Sequence, residues 1–226
     1  MTRRSLERVQ QQAPLRQQIY DRVEELIIYG ELPAGQHLVE SQLAQLLGVS
    51  RIPVREALQL LNRDGWVDLR PRQGAFVHNP SADEADEVFT VRTVLEVEAA
   101  RLAALHPTEV SVKGLRRLLD AGHRALQKGD DKELVRLNSE FHQSISRMAG
   151  NRILTQMTGR LDKRIRWFFA PVVKLRGAAS WTEHTEMVDA IEARNSRRAA
   201  QEMRKHAEAT KAAFHAERDR SLADEK

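Results

Sequence analysis

The chain has 226 residues, room for one large or two ordinary domains. With 41% hydrophobic and 30% charged residues it can bury a core and keep a polar surface. It has no cysteine, which excludes a disulfide framework, a thiolate metal site and a cysteine nucleophile. There is no apolar run of about 18 residues and no secretory leader pattern, so no membrane partner and a cytoplasmic location are expected.

The net charge of +4 is too small to name a nucleic-acid partner by itself. Its distribution says more. Before Lys113 the strongly basic residues are all arginine, the fork-shaped donor that suits phosphates and guanine edges. Abundant Leu, Ala, Arg and Glu favour helix over sheet.

Residues 1–12 read as a flexible polar tail. From Pro14 the apolar residues Leu15, Ile19, Val23, Leu26 and Ile27 recur three or four apart, the period of a helix. "GELPAG" (30–35) ends it. A short second helix is expected over 41–47, with Leu43, Ala44 and Leu47 inward. "GVS" (48–50) is a tight turn, and Ser50 is placed to cap the next helix.

That helix opens "SRIPVREALQLL" (50–61). Pro53 lies in its first turn, where the missing N–H has no intrahelical partner to lose. Arg51, Arg55, Gln59, Asn62 and Arg63 share one arc. Pro53, Val54, Ala57, Leu58, Leu60 and Leu61 share the other. The wheel alone fits a solvated surface face as well as a nucleic-acid contact. "WVDLRPRQGAFVH" (66–78) then changes to an alternating period. It suggests two short strands joined by a hairpin tip carrying Arg70, Arg72 and Gly74. Three helices, a sharp turn before the third and a basic hairpin after it make a winged helix-turn-helix, whose third helix enters the major groove.

"NPSADE" (79–84) is polar and turn-forming, and reads as a linker. Beyond it the chain is helical, with segments expected at 83–105, 109–128, 131–149, 151–169, 181–193 and 195–221. "RGAAS" (176–180) is one of the expected breaks. The fold expected is therefore mainly α: an N-terminal winged helix-turn-helix with a small β-hairpin wing (13–78), then an all-α antiparallel bundle (85–221).

Three of the eight histidines stand out. Asn138 precedes His142 by one helical turn, so both project from one face. His184 and His206 come from the last two helices. Three imidazoles and one oxygen on separate helices can enclose a divalent ion such as zinc or nickel, although by spacing alone such histidines are more often surface or satisfied core residues. By spacing, Arg92 can make a surface ion pair with Glu96, four residues on. Val91, Val94 and Leu95 are expected to pack inward. No HExxH, G-x-S-x-G or phosphate-binding Gly loop is present, and no acid is placed as a general base, so an enzyme is not expected.

The run "LGVSRIPVREAL", followed by "GWV" and "QGAFV", resembles the GntR family of bacterial transcription regulators. "VRTVLEVEAARLAA" (91–104), "NSEFHQSISRMAGN" (138–151), "EHTEMVDAI" (183–191) and "MRKHAEATK" (203–211) resemble the FCD effector domain of its FadR-type subfamily. The resemblance implies a homodimeric repressor or activator on a pseudo-palindromic duplex DNA operator. It implies DNA contacts by Ser50, Arg51, Pro53, Arg55, Arg72, Gln73 and Gly74. It also implies a metal held by Asn138, His142, His184 and His206, and a small carboxylate effector held by Arg92. Asn138 stands where the family often has Asp. A neutral carbonyl removes one negative charge, so the ion binds more weakly or leans on a carboxylate from the effector.

Overall fold

The computed structural model describes residues 14–224. They form two compact units. The first comprises residues 14–27 and 31–79, the second residues 28–30 and 80–224.

The first unit holds helix α1 (Leu15–Ile28), strand β1 (His37–Leu38), helices α2 (Glu40–Leu47) and α3 (Arg51–Arg63), and strands β2 (Val67–Arg70) and β3 (Gly74–Val77). Its core is the apolar period read from the sequence. Ile19, Val23 and Ile27 of α1 are buried, with Leu43 and Ala44 of α2 and Val54, Ala57, Leu58 and Leu61 of α3. Gly48 ends α2 at φ 66°, a left-handed turn that glycine enters without cost. Ser50 holds the N-cap position of α3 but makes no side-chain cap bond, so it contributes extended backbone rather than a hydrogen bond there.

The wing is a sheet of three strands, not a two-stranded hairpin. β3 lies between β1 and β2, antiparallel to both, with His37 opposite Phe76 and Val67 opposite Val77. The added strand is only two residues long, too short to show an alternating pattern. His37 stacks on Phe76 with ring centroids 4.7 Å apart, and the Arg70 guanidinium lies 4.2 Å from the centre of the same ring.

The second unit contains α4 (Ala82–Ala103), α5 (Glu109–Lys128), α6 (Asp131–Met148), α7 (Arg152–Phe169), a single 3-10 turn (Ala170–Val172), α8 (Val173–Glu192) and α9 (Ser196–Asp224). The caps explain the boundaries. Ser81 accepts from Glu84 N–H, Thr108 and Ser111 form a reciprocal capping box, and Asn151 accepts from Ile153 and Leu154 N–H. Phe89, Phe168 and Phe214, from α4, α7 and α9, meet with ring centroids 5.2–5.8 Å apart.

Two expectations fail here. "RGAAS" does not break the chain: α8 runs through it. Gly177 serves close packing instead, since a Cβ there would stand 3.1 Å from Leu126. Val91 and Val94 do not pack inward: they are 48% and 64% exposed. The buried stripe of α4 is Ala85, Phe89, Arg92, Glu96, Ala99 and Ala103, which carries the charged pair into the core.

Candidate functional site

In the second unit three helices bring the expected ligands together. α6 turns Asn138 and His142 inward from one face, α8 supplies His184 and α9 supplies His206, all of them buried. One nitrogen from each of the three imidazoles lies within 4.8 Å of the others. His142 Nε2 and His206 Nε2 are 3.2 Å apart.

The outer nitrogens face carboxylates. His206 Nδ1 lies 2.8 Å from Glu183 Oε2, which also accepts from Arg176 Nη2 at 2.6 Å. His142 Nδ1 lies 3.1 Å from Glu96 Oε2. The Glu183 contact fixes the His206 ring, the usual arrangement around a metal-ligating histidine, whereas the approach of Glu96 to His142 falls short of hydrogen-bond geometry. His184 is stacked on Phe141 at 4.1 Å and meets the edge of Trp181 at 4.9 Å. Among the described residues neither of its nitrogens has a hydrogen-bond partner, and nor has Asn138 Oδ1.

Burial, then the neighbouring imidazoles and Arg92, hold His184 well below the usual imidazole range. Burial also brings His206 down to about 4, against the opposing hydrogen bond to Glu183. Both rings are thus neutral at pH 7, the form that ligates a metal. A cluster of imidazoles with orphaned nitrogens and a carbonyl oxygen fits a borderline divalent cation.

Arg92 makes the ion pair with Glu96, Nε to Oε2 at 3.0 Å, but not on the surface: it is 1% exposed. Burial alone would raise the Glu96 carboxyl. The Arg92 charge, with help from His142, outweighs it and brings the group to about 2. Arg92 Nη2 lies 3.4 Å from His142 Nε2, and Nη1 has no partner. The guanidinium is therefore fixed on one edge and has donors to spare beside the imidazoles. Between α4, α6 and α7 a small cavity opens beside Glu96, Asn138 and His142, walled by Ser139, Asp162 and Arg166. Spacing did not single out Glu183, Arg176, Asp162 or Arg166. Only Glu183 carried a signal, as the neighbour of His184.

In the first unit Arg51 and Arg55 stand on the exposed arc of α3, with side chains 63% and 59% accessible. They line a groove shared with Arg70, Arg72 and Gly74 of the wing. Ser50 is exposed and Pro53 half-buried at the start of the helix, and Gln73 is exposed at the wing tip. Arg72 sits there at φ 64°, and Gly74 at φ 103°. Sequence reasoning missed Glu40, whose carboxylate reaches both Arg51 and Arg55.

Residues 15–77 match the family model for bacterial regulatory proteins of the gntR family, and residues 87–209 match the FCD domain. The chain belongs to the GntR family, with an FCD effector domain. It is 28% identical over 194 residues to the helix-turn-helix transcriptional regulator YdhC of Bacillus subtilis, covering 84% of this chain and 86% of that one. It is 29% identical over 136 residues to the transcriptional repressor RspR of Escherichia coli, covering 60% of each. Among solved structures, E. coli McbR/YncC superposes with a TM-score of 0.76 at 23% identity, over 91% of this chain and 99% of that one, a likeness of fold. Proteins of this family regulate transcription and are not enzymes. GntR regulators bind DNA and typically act as dimers, and the FCD domain is a metal-binding effector domain. No described helix is long and apolar enough to cross a membrane.

Proposed function

We propose that this GntR regulator is a cytoplasmic repressor that binds a pseudo-palindromic operator as a homodimer. In this reading it senses a small carboxylate metabolite beside a divalent ion, zinc or nickel. The domains are then the DNA-binding winged helix (13–78), a hinge at 79–81, where the expected linker 79–84 is shortened by the start of α4 at Ala82, and the sensor and dimerisation domain that follows, to residue 221. The observation that carries the sensor reading is the meeting, in one buried place, of three imidazoles, the unpartnered Asn138 carbonyl and a guanidinium with a free nitrogen.

His142, His184, His206 and Asn138 would hold the ion. A bound divalent cation supplies a Lewis-acid centre for one ligand oxygen. Arg92 donates to the remaining carboxylate oxygen through its free N–H groups, while Glu96 keeps its other edge in place. The carboxylates beside the imidazoles, Glu96 and Glu183, are already balanced by Arg92 and Arg176, so an anionic ligand completes the site better than a neutral one. Ligand binding that differs between two arrangements of the dimer then shifts operator affinity.

The test is thermal unfolding of metal-loaded and chelator-stripped protein against small hydroxy, sugar and amino acids. Stabilisation by one acid, only with metal present, is expected. Indifference to every acid with metal bound would overturn the sensor reading. The DNA arm is tested separately. Arg55→Ala should abolish specific binding to duplex selected by the wild-type protein and leave the melting temperature unchanged; unaltered affinity in a gel-shift titration would refute it.

A further inference from the structure

Glu40 is the first residue of α2, separated from β1 only by Val39. Its backbone is held on both sides. His37 and Leu38 pair with β3 of the wing, and the Val39 carbonyl accepts from Leu43 N–H at 3.0 Å. From this anchored position the carboxylate crosses to α3. Arg55 Nε donates to Oε1 at 2.8 Å and Arg55 Nη2 to Oε2 at 2.8 Å, a parallel two-bond pair. Arg51 Nη2 adds a longer bond to Oε2 at 3.3 Å.

The geometry of the pair decides what remains available. A guanidinium has five N–H groups in one plane. Glu40 takes the side edge of Arg55, formed by Nε and Nη2. The end edge, one hydrogen each from Nη1 and Nη2, stays free. That edge has the fork geometry that grips guanine O6 and N7. An unbuttressed arginine on an exposed helix loses rotamer freedom on binding and can equally well turn to a phosphate. Arg55 is 59% exposed, so burial does not fix its side chain.

We infer that Glu40 is a positioning residue for DNA recognition: it fixes Arg55 side-on so that its free end reads one guanine in each operator half-site. This rests on the reading of Arg55 as a DNA-contacting residue, and it adds the base read and the residue that makes the reading selective. The carboxylate has the charge for this task, since the hydrogen bonds from Arg55 hold it below the usual carboxylate range. It also gives the short β1 strand a role, because pairing with the wing fixes the backbone from which Glu40 projects.

The test uses the full chain. Wild-type protein first enriches duplexes from a random-sequence pool. Each base pair of the enriched half-site is then replaced in turn, and binding is measured by fluorescence anisotropy at one salt concentration. Wild type, Arg55→Ala and Glu40→Gln are compared on these duplexes and on a scrambled one. In the wild type, replacing one guanine should weaken binding on the order of ten- to a hundredfold. Arg55→Ala should erase that difference.

Glu40→Gln keeps size but offers one acceptor oxygen instead of two, so the guanine penalty should shrink to about threefold or less. Affinity for the scrambled duplex should stay level or rise, because a negative charge has left the DNA-facing surface. Glu40→Ala should behave alike. A full guanine penalty in both Glu40 variants, or equal losses on selected and scrambled duplexes, would overturn the inference while the reading of Arg55 stands. Persistence of the guanine preference in Arg55→Ala would overturn both.

Discussion

Replacing His184 by leucine should change stability with opposite signs in the metal-free and metal-loaded protein. The imidazole is fully buried, and neither ring nitrogen has a hydrogen-bond partner. An unsatisfied buried polar group costs about 1–3 kcal/mol, and a neutral imidazole brings one donor and one acceptor. Leucine removes both. It forfeits the stack on Phe141, about 0.5–1.5 kcal/mol, and fits a flat slot less well. The chelator-stripped variant should therefore be more stable by about 1–3 kcal/mol. For a domain of this size that raises the melting temperature by about 2–10 °C.

With the ion at a hundred times its dissociation constant, the wild type gains about 2.7 kcal/mol, and the variant, lacking a ligand, gains little. The order of the two melting curves should then close up or reverse. Calorimetry of both proteins with chelator and with zinc reads this directly. If His184→Leu in chelator is destabilised by the 2–5 kcal/mol typical of a damaged core, the imidazole nitrogens are satisfied and the metal reading of this cluster fails.

Other outcomes follow from named contacts. Gly122→Ala would set a Cβ 2.5 Å from the Trp181 ring, which itself packs on His184. It should cost about 1–3 kcal/mol and weaken zinc-dependent stabilisation, and an unchanged zinc response would show that Trp181 does not hold the imidazole in place. Glu96→Gln leaves Arg92 buried without its counter-charge, so about 3–5 kcal/mol of stability should be lost, read by urea denaturation; a loss below about 1 kcal/mol would mean that the guanidinium is solvated. Gly74→Ala places a side chain at φ 103° and 2.8 Å from His37 Nε2. About 1–2 kcal/mol of wing strain should lower duplex affinity, while the metal response of the second unit stays as it is; full duplex affinity would refute a fixed wing.

The helical period of α1 and α3, the alternation of the wing and the turn residues between them were enough to read a winged helix-turn-helix, because each is a local preference that neighbouring residues state by themselves. The one-turn spacing of Asn138 and His142 is local in the same way. Other features were out of reach for a common reason. β1 has two residues and exists only because β3 pairs with it. Glu40 and Arg55 are fifteen positions apart and meet across a helix turn. On α4 the sequence offers Val91 and Val94 as an inward face, and hydrophobicity alone prefers them. The structure buries Arg92 and Glu96 instead, because Glu96 and His142 supply the polar surroundings that make a buried guanidinium tolerable.

Residues 176–180 look like a break in the chain, yet α8 runs through them, and Gly177 is where it passes close to Leu126. By itself, the sequence determined the kinds of elements, their order and the residue types able to bind DNA and metal. Which side chains face each other across helices was decided by tertiary packing, since the cost of burying a charge or an imidazole depends on partners that lie far away along the chain.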